Sequence, residues 1–91
     1  MITWEEYKKG LIEKYPHSKN DIEEIELLAK IITAIINKRK ELGYSQRDLA
    51  KICGLPQSSV ARIESCFVKP NIETLLKVMK PLGLTLSVVA I

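Results

Sequence analysis

The stretch from Leu42 to Gly83 constrains this chain most, because its breaks and apolar periodicity leave room only for short helices. Gly43-Tyr44 interrupts the chain, and Ser45 to Cys53 then form one helix. Gly54-Leu55 makes a tight turn, and Pro56 to Glu64 form the next helix. Ser45 caps the first of these, with an acid three positions on at Asp48. Leu49, Ala50, Ile52 and Cys53 should face inward, as should Val60 and Ile63 in the second helix. After the loop Ser65 to Pro70, Asn71 caps a last helix holding Ile72, Leu75, Leu76, Val78 and Met79. Pro81 makes its final turn irregular, and Gly83 suits a left-handed cap.

Two further helices precede this stretch. Thr3 to Tyr15 reads as a short amphipathic helix with Thr3 and Glu6 as a capping box. Trp4, Tyr7, Leu11 and Tyr15, with Ile12 alongside, give it one apolar face, and Pro16 ends it before the linker His17-Ser18-Lys19. A longer helix should run from about Asp21 to Leu42, capped by Asn20. Ile22, Ile25, Leu28, Ala29, Ile32, Ile35, Ile36, Arg39 and Leu42 lie along one stripe, apolar except at Arg39. An arginine there either emerges at an edge or meets a buried carboxylate. Residues 84–91 alternate at their start and are β-branched towards their end, so they read as a strand. With no partner strand in the chain, it would pair with its own copy or with another protein's edge.

Ninety-one residues make one small domain, for which dimerisation would add stability. Its expected parts are a helical extension over residues 1–19 and a main unit over 20–91. Charge is divided along the chain. Residues 1–37 carry five Lys and seven acids, a net of −2, whereas residues 38–91 carry nine Lys and Arg and four acids, a net of +5. The positive half coincides with the two short helices, as phosphate binding requires, although an ordinary solvated surface would look similar. Cys53 and Cys66 are too few for a disulfide framework or a four-ligand metal site, and His17 is the single histidine. No cofactor is expected. No apolar run approaches the ~18 residues of a membrane span, and the N-terminus lacks a secretory apolar region, so a cytoplasmic protein with reduced thiols is expected.

Two short helices at this spacing suit reading of double-stranded DNA, with the second helix in the major groove. Gln46 opens the first helix, where its amide and free backbone amides can grip a phosphate. Gln57 opens the second and can pair bidentately with adenine, while Ser58 and Ser59 can reach bases or phosphates. Arg62 lies one turn further, where its fork suits guanine or a phosphate. Lys38, Lys40, Arg47 and Lys69 are candidate phosphate contacts, which set register without reading sequence. Alternatively, Gln57 and Ser58 are helix-start residues that satisfy orphan amides, and Arg47 and Lys51 are solvated charges.

Leu42 to Ala50, Gly54 to Glu64 and Pro70 to Gly83 together resemble the Cro/C1-type (XRE) helix-turn-helix family, over roughly residues 31–86. The resemblance implies an all-α, five-helix lambda-repressor-like domain, here with an N-terminal helical extension and a short C-terminal β-strand. It implies phosphate binding by Gln46, a groove-facing set of Gln57, Ser58, Ser59 and Arg62, and a structural ion pair between Arg39 and Glu64. The family usually has Gly where this chain has Cys66, and a left-handed backbone there would cost a non-glycine residue ~1–2 kcal/mol. Thiol sensing at Cys66 and a merely tolerated cysteine both remain open. The N-terminal helix, long second helix and terminal strand also resemble HigA-type antitoxins, which repress their own operon as dimers and neutralise a toxin. By that resemblance a toxin would contact the N-terminal segment or the tail; otherwise Trp4, Tyr7, Leu11 and Tyr15 pack on the chain's own long helix.

The leading expectation is a sequence-specific DNA-binding repressor, a homodimer on an inverted repeat with half-sites about one helical turn apart. The alternative is an antitoxin whose main work is binding a toxin, with DNA autoregulation secondary. An enzyme is not expected, because the chain has no glycine-rich phosphate loop, no metal-ligand cluster and no nucleophile beside a base.

Overall fold

A computed structural model describes residues 2–14, 19–65 and 70–90. Tyr15, Pro16, His17, Ser18, Cys66 and Lys69 lie outside the described residues, and so do the side chains of Leu11, Ile12, Asn20 and Ile22. Five helices follow one another: α1 (Trp4–Lys14), α2 (Lys19–Glu41), α3 (Gln46–Cys53), α4 (Gln57–Ser65) and α5 (Ile72–Met79). A 3-10 turn at Lys80–Leu82 closes α5.

Helix α2 is the axis of the fold. Ile25, Ala29, Ile32, Ile35 and Ile36 recur at helical spacing along it and are buried, with Ala29, Ile32 and Ile35 fully inaccessible. Against this stripe the other helices bring Leu49, Ala50, Val60, Ile63, Leu75, Val78, Met79 and Leu82 into one core. Thr33 is buried as well, and its hydroxyl donates to the Ala29 carbonyl at 2.8 Å, so no polar atom is stranded there. Helix α1 lies along α2, with Lys8 3.5 Å from Glu26 and the Lys30 ammonium 4.9 Å above the Trp4 ring. The Asn37 amide donates to the Ile2 carbonyl at 2.9 Å, tying the start of the chain to the same helix.

Local chemistry sets the helix ends. The Glu6 amide donates to the Thr3 hydroxyl at 3.2 Å at the start of α1. Ser45 and Asp48 form a reciprocal capping box, with bonds of 3.0 and 2.9 Å. Gly54 then takes a left-handed conformation, φ 70°, which lets the Leu55 amide turn back to the Ala50 carbonyl at 2.9 Å. Asn71 caps α5 through the Thr74 amide at 2.8 Å, and Gly83 is left-handed at φ 72°.

Four expectations need correction, the first at the start of α2: the helix already includes Lys19 and Asn20, so Asn20 does not cap it. The expected β-strand is absent: residues 84–90 form no regular structure, and the described residues contain no strand. β-propensity supplies no ladder, and no second strand to pair with exists among the described residues. Leu84 and Leu86 nevertheless pack against the core, whereas Val88 and Val89 are exposed. Ile52 faces solvent, because Leu49, Ala50 and Cys53 already define the inward stripe of α3 and Ile52 lies roughly a quarter turn off it. Leu42 is exposed because α2 ends at Glu41, before its stripe reaches that position.

The capping box predicts an acid-sensitive helix. Hydrogen bonds from the Ser45 backbone amide and then the Ser45 hydroxyl hold the Asp48 carboxyl below its ordinary value of 3.8, helped by Lys51 and Arg47 against a smaller opposing effect of burial. A carboxyl lowered in the native state stabilises fully above its unfolded value and stops doing so as pH falls through the native one. The stability difference between wild type and Asp48→Asn, followed by urea unfolding, should be constant near neutrality and shrink below pH 3.8. A difference that does not change with pH would contradict the cap.

Candidate nucleic-acid interface

Helices α3 and α4 are packed on each other through the turn at Gly54, and α4 presents its polar side away from the core. Val60 is fully buried and Ile63 nearly so, which fixes the rotation of α4 about its axis. That rotation leaves Gln57, Ser58 and Arg62 exposed on the outside, with Ser59 half-buried at their edge. Ser58 and Arg62 are four residues apart and share a face. The Ser59 amide donates to the Pro56 carbonyl at 3.0 Å, so the helix starts as a tight turn at the proline. Gln57 and Ser58 therefore project from a helix N-terminus, where free amides and the helix dipole favour an anion.

The inner end of α4 is held by a buried ion pair. Arg39 Nε lies 2.7 Å from Glu64 Oε2 and Arg39 Nη2 lies 2.8 Å from Glu64 Oε1, a bidentate arrangement. The third donor, Arg39 Nη1, reaches the Tyr44 carbonyl at 2.8 Å. Arg39 on the α2 stripe is thus neither at an edge nor unpaired. It joins α2, the loop before α3, and α4.

Glu64 also receives Gln46. The Gln46 amide donates to Glu64 Oε1 at 3.2 Å, so this side chain is oriented by the same carboxylate that holds Arg39. An amide nitrogen carries two N–H groups, which leaves one for a ligand at the start of α3. The other cations are placed differently. Arg47 and Lys40 are exposed, whereas Lys38 lies 3.5 Å from Glu41 on its own helix. Lys69 lies outside the described residues. Cys53 is half-buried and burial pushes its thiol up, which keeps it protonated and poorly nucleophilic at neutral pH.

Sequence reasoning missed two features. The Tyr7 hydroxyl donates to the Glu64 carbonyl at 2.6 Å, linking the extension to α4 across 57 positions. The signal was a polar-tipped aromatic on the apolar helix face, and Tyr15 on the same face carries it equally. The Gln46–Glu64 bond was missed because the phosphate reading of Gln46 treated its amide as wholly free. Among the described residues, no three His, Cys, Asp or Glu side chains are placed to hold a metal, and no helix is long and apolar enough to cross a membrane.

Removing one partner of the buried pair strands the other. Glu64→Ala should cost about 3–5 kcal/mol in urea unfolding, while Arg39→Met/Glu64→Leu together should cost far less. Equal losses in the single and double variants would contradict this account of Arg39.

Comparison with known proteins agrees with this geometry. A family model described as Helix-turn-helix matches residues 35–89, from the second half of α2 to the segment after Gly83. An uncharacterized HTH-type transcriptional regulator of Haemophilus influenzae is 37% identical over 87 residues, covering 96% of this chain and 84% of that protein. The HTH-type transcriptional regulator PuuR of Escherichia coli is 45% identical over 49 residues, 54% of this chain but 26% of that protein. No solved structure gives a significant match. With the motif helices in place and a relative of the same kind matched over 96% of this chain, the chain belongs to the XRE-type helix-turn-helix family.

Proposed function

We propose that this protein is a DNA-binding transcriptional regulator, a sequence-specific repressor that acts as a dimer on an inverted repeat. The observation that carries the reading is the exposed set Gln57, Ser58 and Arg62 on α4, a helix anchored from behind by Glu64. Helix α4 enters the major groove, where Gln57 and Arg62 read base edges. Gln46, Arg47 and Lys69 hold phosphates, and Ser58 and Ser59 serve either purpose. The names of the Haemophilus and Escherichia relatives, both HTH-type transcriptional regulators, support the same direction.

The dimer forms through the segment after Gly83. Its Leu84 and Leu86 sit on the core, but Val88 and Val89 extend beyond it into solvent. Residues 84–90 carry no charge and no proline, the usual means of blunting an exposed extended segment. Antiparallel pairing with a second copy would satisfy the backbone groups of this irregular segment. The same open segment favours a second reading, a HigA-like antitoxin in which a toxin takes that place and DNA binding is autoregulatory.

Mobility shifts on the DNA upstream of the gene should show binding that weakens steeply with salt, by about 0.9 log units in affinity per decade of salt for each phosphate neutralised. In Gln57→Ala/Arg62→Ala the preference over scrambled duplex should fall, by about 1–3 kcal/mol for each bidentate base pairing removed. A folded wild type with no preference would refute the repressor reading. Truncation after Gly83 should leave a folded chain that sediments as a monomer. Sedimentation identical to wild type would remove this dimer surface.

A further inference from the structure

Helix α4 is described as far as Ser65, and two carbonyls of this last described turn accept side-chain hydroxyls. The Ser65 hydroxyl takes the Arg62 carbonyl at 3.0 Å, and the Tyr7 hydroxyl of α1 takes the Glu64 carbonyl at 2.6 Å. Glu64 is thereby gripped twice: α1 bonds its backbone, while Arg39 and Gln46 bond its carboxylate.

Helix α1 can act as a strut because its other contacts fix it to α2. Lys8 meets Glu26 at 3.5 Å, Lys30 covers the Trp4 ring at 4.9 Å, and Asn37 holds the Ile2 carbonyl at 2.9 Å. Beside the Tyr7–Glu64 bond a cleft of about 360 Å³ opens, lined among others by Ile2, Tyr7, Ala61 and Ser65. Beside this cleft the Tyr7 hydroxyl bond links α1 to the backbone of α4.

We infer that Tyr7 is a positioning residue of the DNA-reading surface: it caps the recognition helix from the N-terminal extension and sets the tilt at which Gln57, Ser58 and Arg62 meet the groove. The inference rests on the regulator reading above. Val60 and Ile63 fix the rotation of α4 about its own axis, and Glu64, beside Ile63, is where polar contacts from α1, α2 and α3 meet the helix. A small tilt at Glu64 displaces Gln57, at the opposite end of a helix of nine residues. Base readout depends on that placement, whereas phosphate attraction tolerates it. The N-terminal extension thus bears on sequence preference although it carries none of the reading residues.

The test is Tyr7→Phe, which removes one oxygen and keeps the ring, with Asn71→Ala as a control that removes the cap of α5 without touching α1 or α4. Amide exchange is measured on the free proteins well below melting, and affinity is measured for the preferred duplex, found by selection from a random library, and for a scrambled duplex. In Tyr7→Phe the α4 amides should exchange about fivefold faster relative to those of α3, the worth of one hydrogen bond. Its affinity for the preferred duplex should fall by a similar factor while that for the scrambled duplex stays unchanged. Asn71→Ala should lower overall stability and leave both ratios alone. A Tyr7→Phe protein with the wild-type α4-to-α3 exchange ratio and the wild-type preference overturns the inference. A wild type that prefers no duplex refutes the regulator reading instead, and the exchange ratio still decides whether Tyr7 holds α4.

Discussion

The structure turns on the contact between Arg39 and Glu64. Two charges side by side in a core gain little net stability, because desolvation offsets much of their attraction. What this pair provides is position. It fixes the C-terminal half of α2 to the inner end of α4, and through Nη1 it fixes the loop that leads into α3. An apolar pair of similar size would fill the space without setting where the Gln46 amide points. Helix α4 is short, and helices of its length are marginal by themselves in water. Its geometry is imposed from behind, by Val60, Ile63 and Glu64.

A division of labour follows. The core formed by α2 with Leu49, Val60, Leu75 and Val78 supplies burial. The polar contacts at Glu64 supply orientation, and the outer face of α4 is left to whatever ligand it meets. The charge distribution runs the same way: the net positive half of the chain is the half that carries this face, while the acidic excess lies in the first 37 residues. Such an arrangement attracts a polyanion to one side of the molecule.

Much of this was legible in the residues because it is local. Ser45 with Asp48, Asn71, Gly54 and Gly83 mark helix ends through bonds made within a few positions, and the isoleucine stripe of α2 follows from helical spacing alone. Faces were harder where two apolar neighbours compete: Ile52 and Cys53 read alike, and only packing shows that one is out and the other half-buried. The segment after Gly83 misled for a different reason. Its residues favour an extended backbone, but a strand is defined by its partner, and the described residues contain none. The contacts around Glu64 divide in the same way. Its pairing with Arg39 came from family resemblance, and no local pattern announces that Tyr7 will meet a carbonyl 57 positions away.

The central claim is that the surface held by Glu64 is the one that meets DNA. The most direct measurement is a titration of isotope-labelled protein with a preferred duplex, following backbone amides by NMR. The account predicts that the largest shifts gather at Ser45 to Asp48 and Gln57 to Arg62, the starts of α3 and α4. Shifts confined to α1 and α5, with those two segments unmoved, would contradict it.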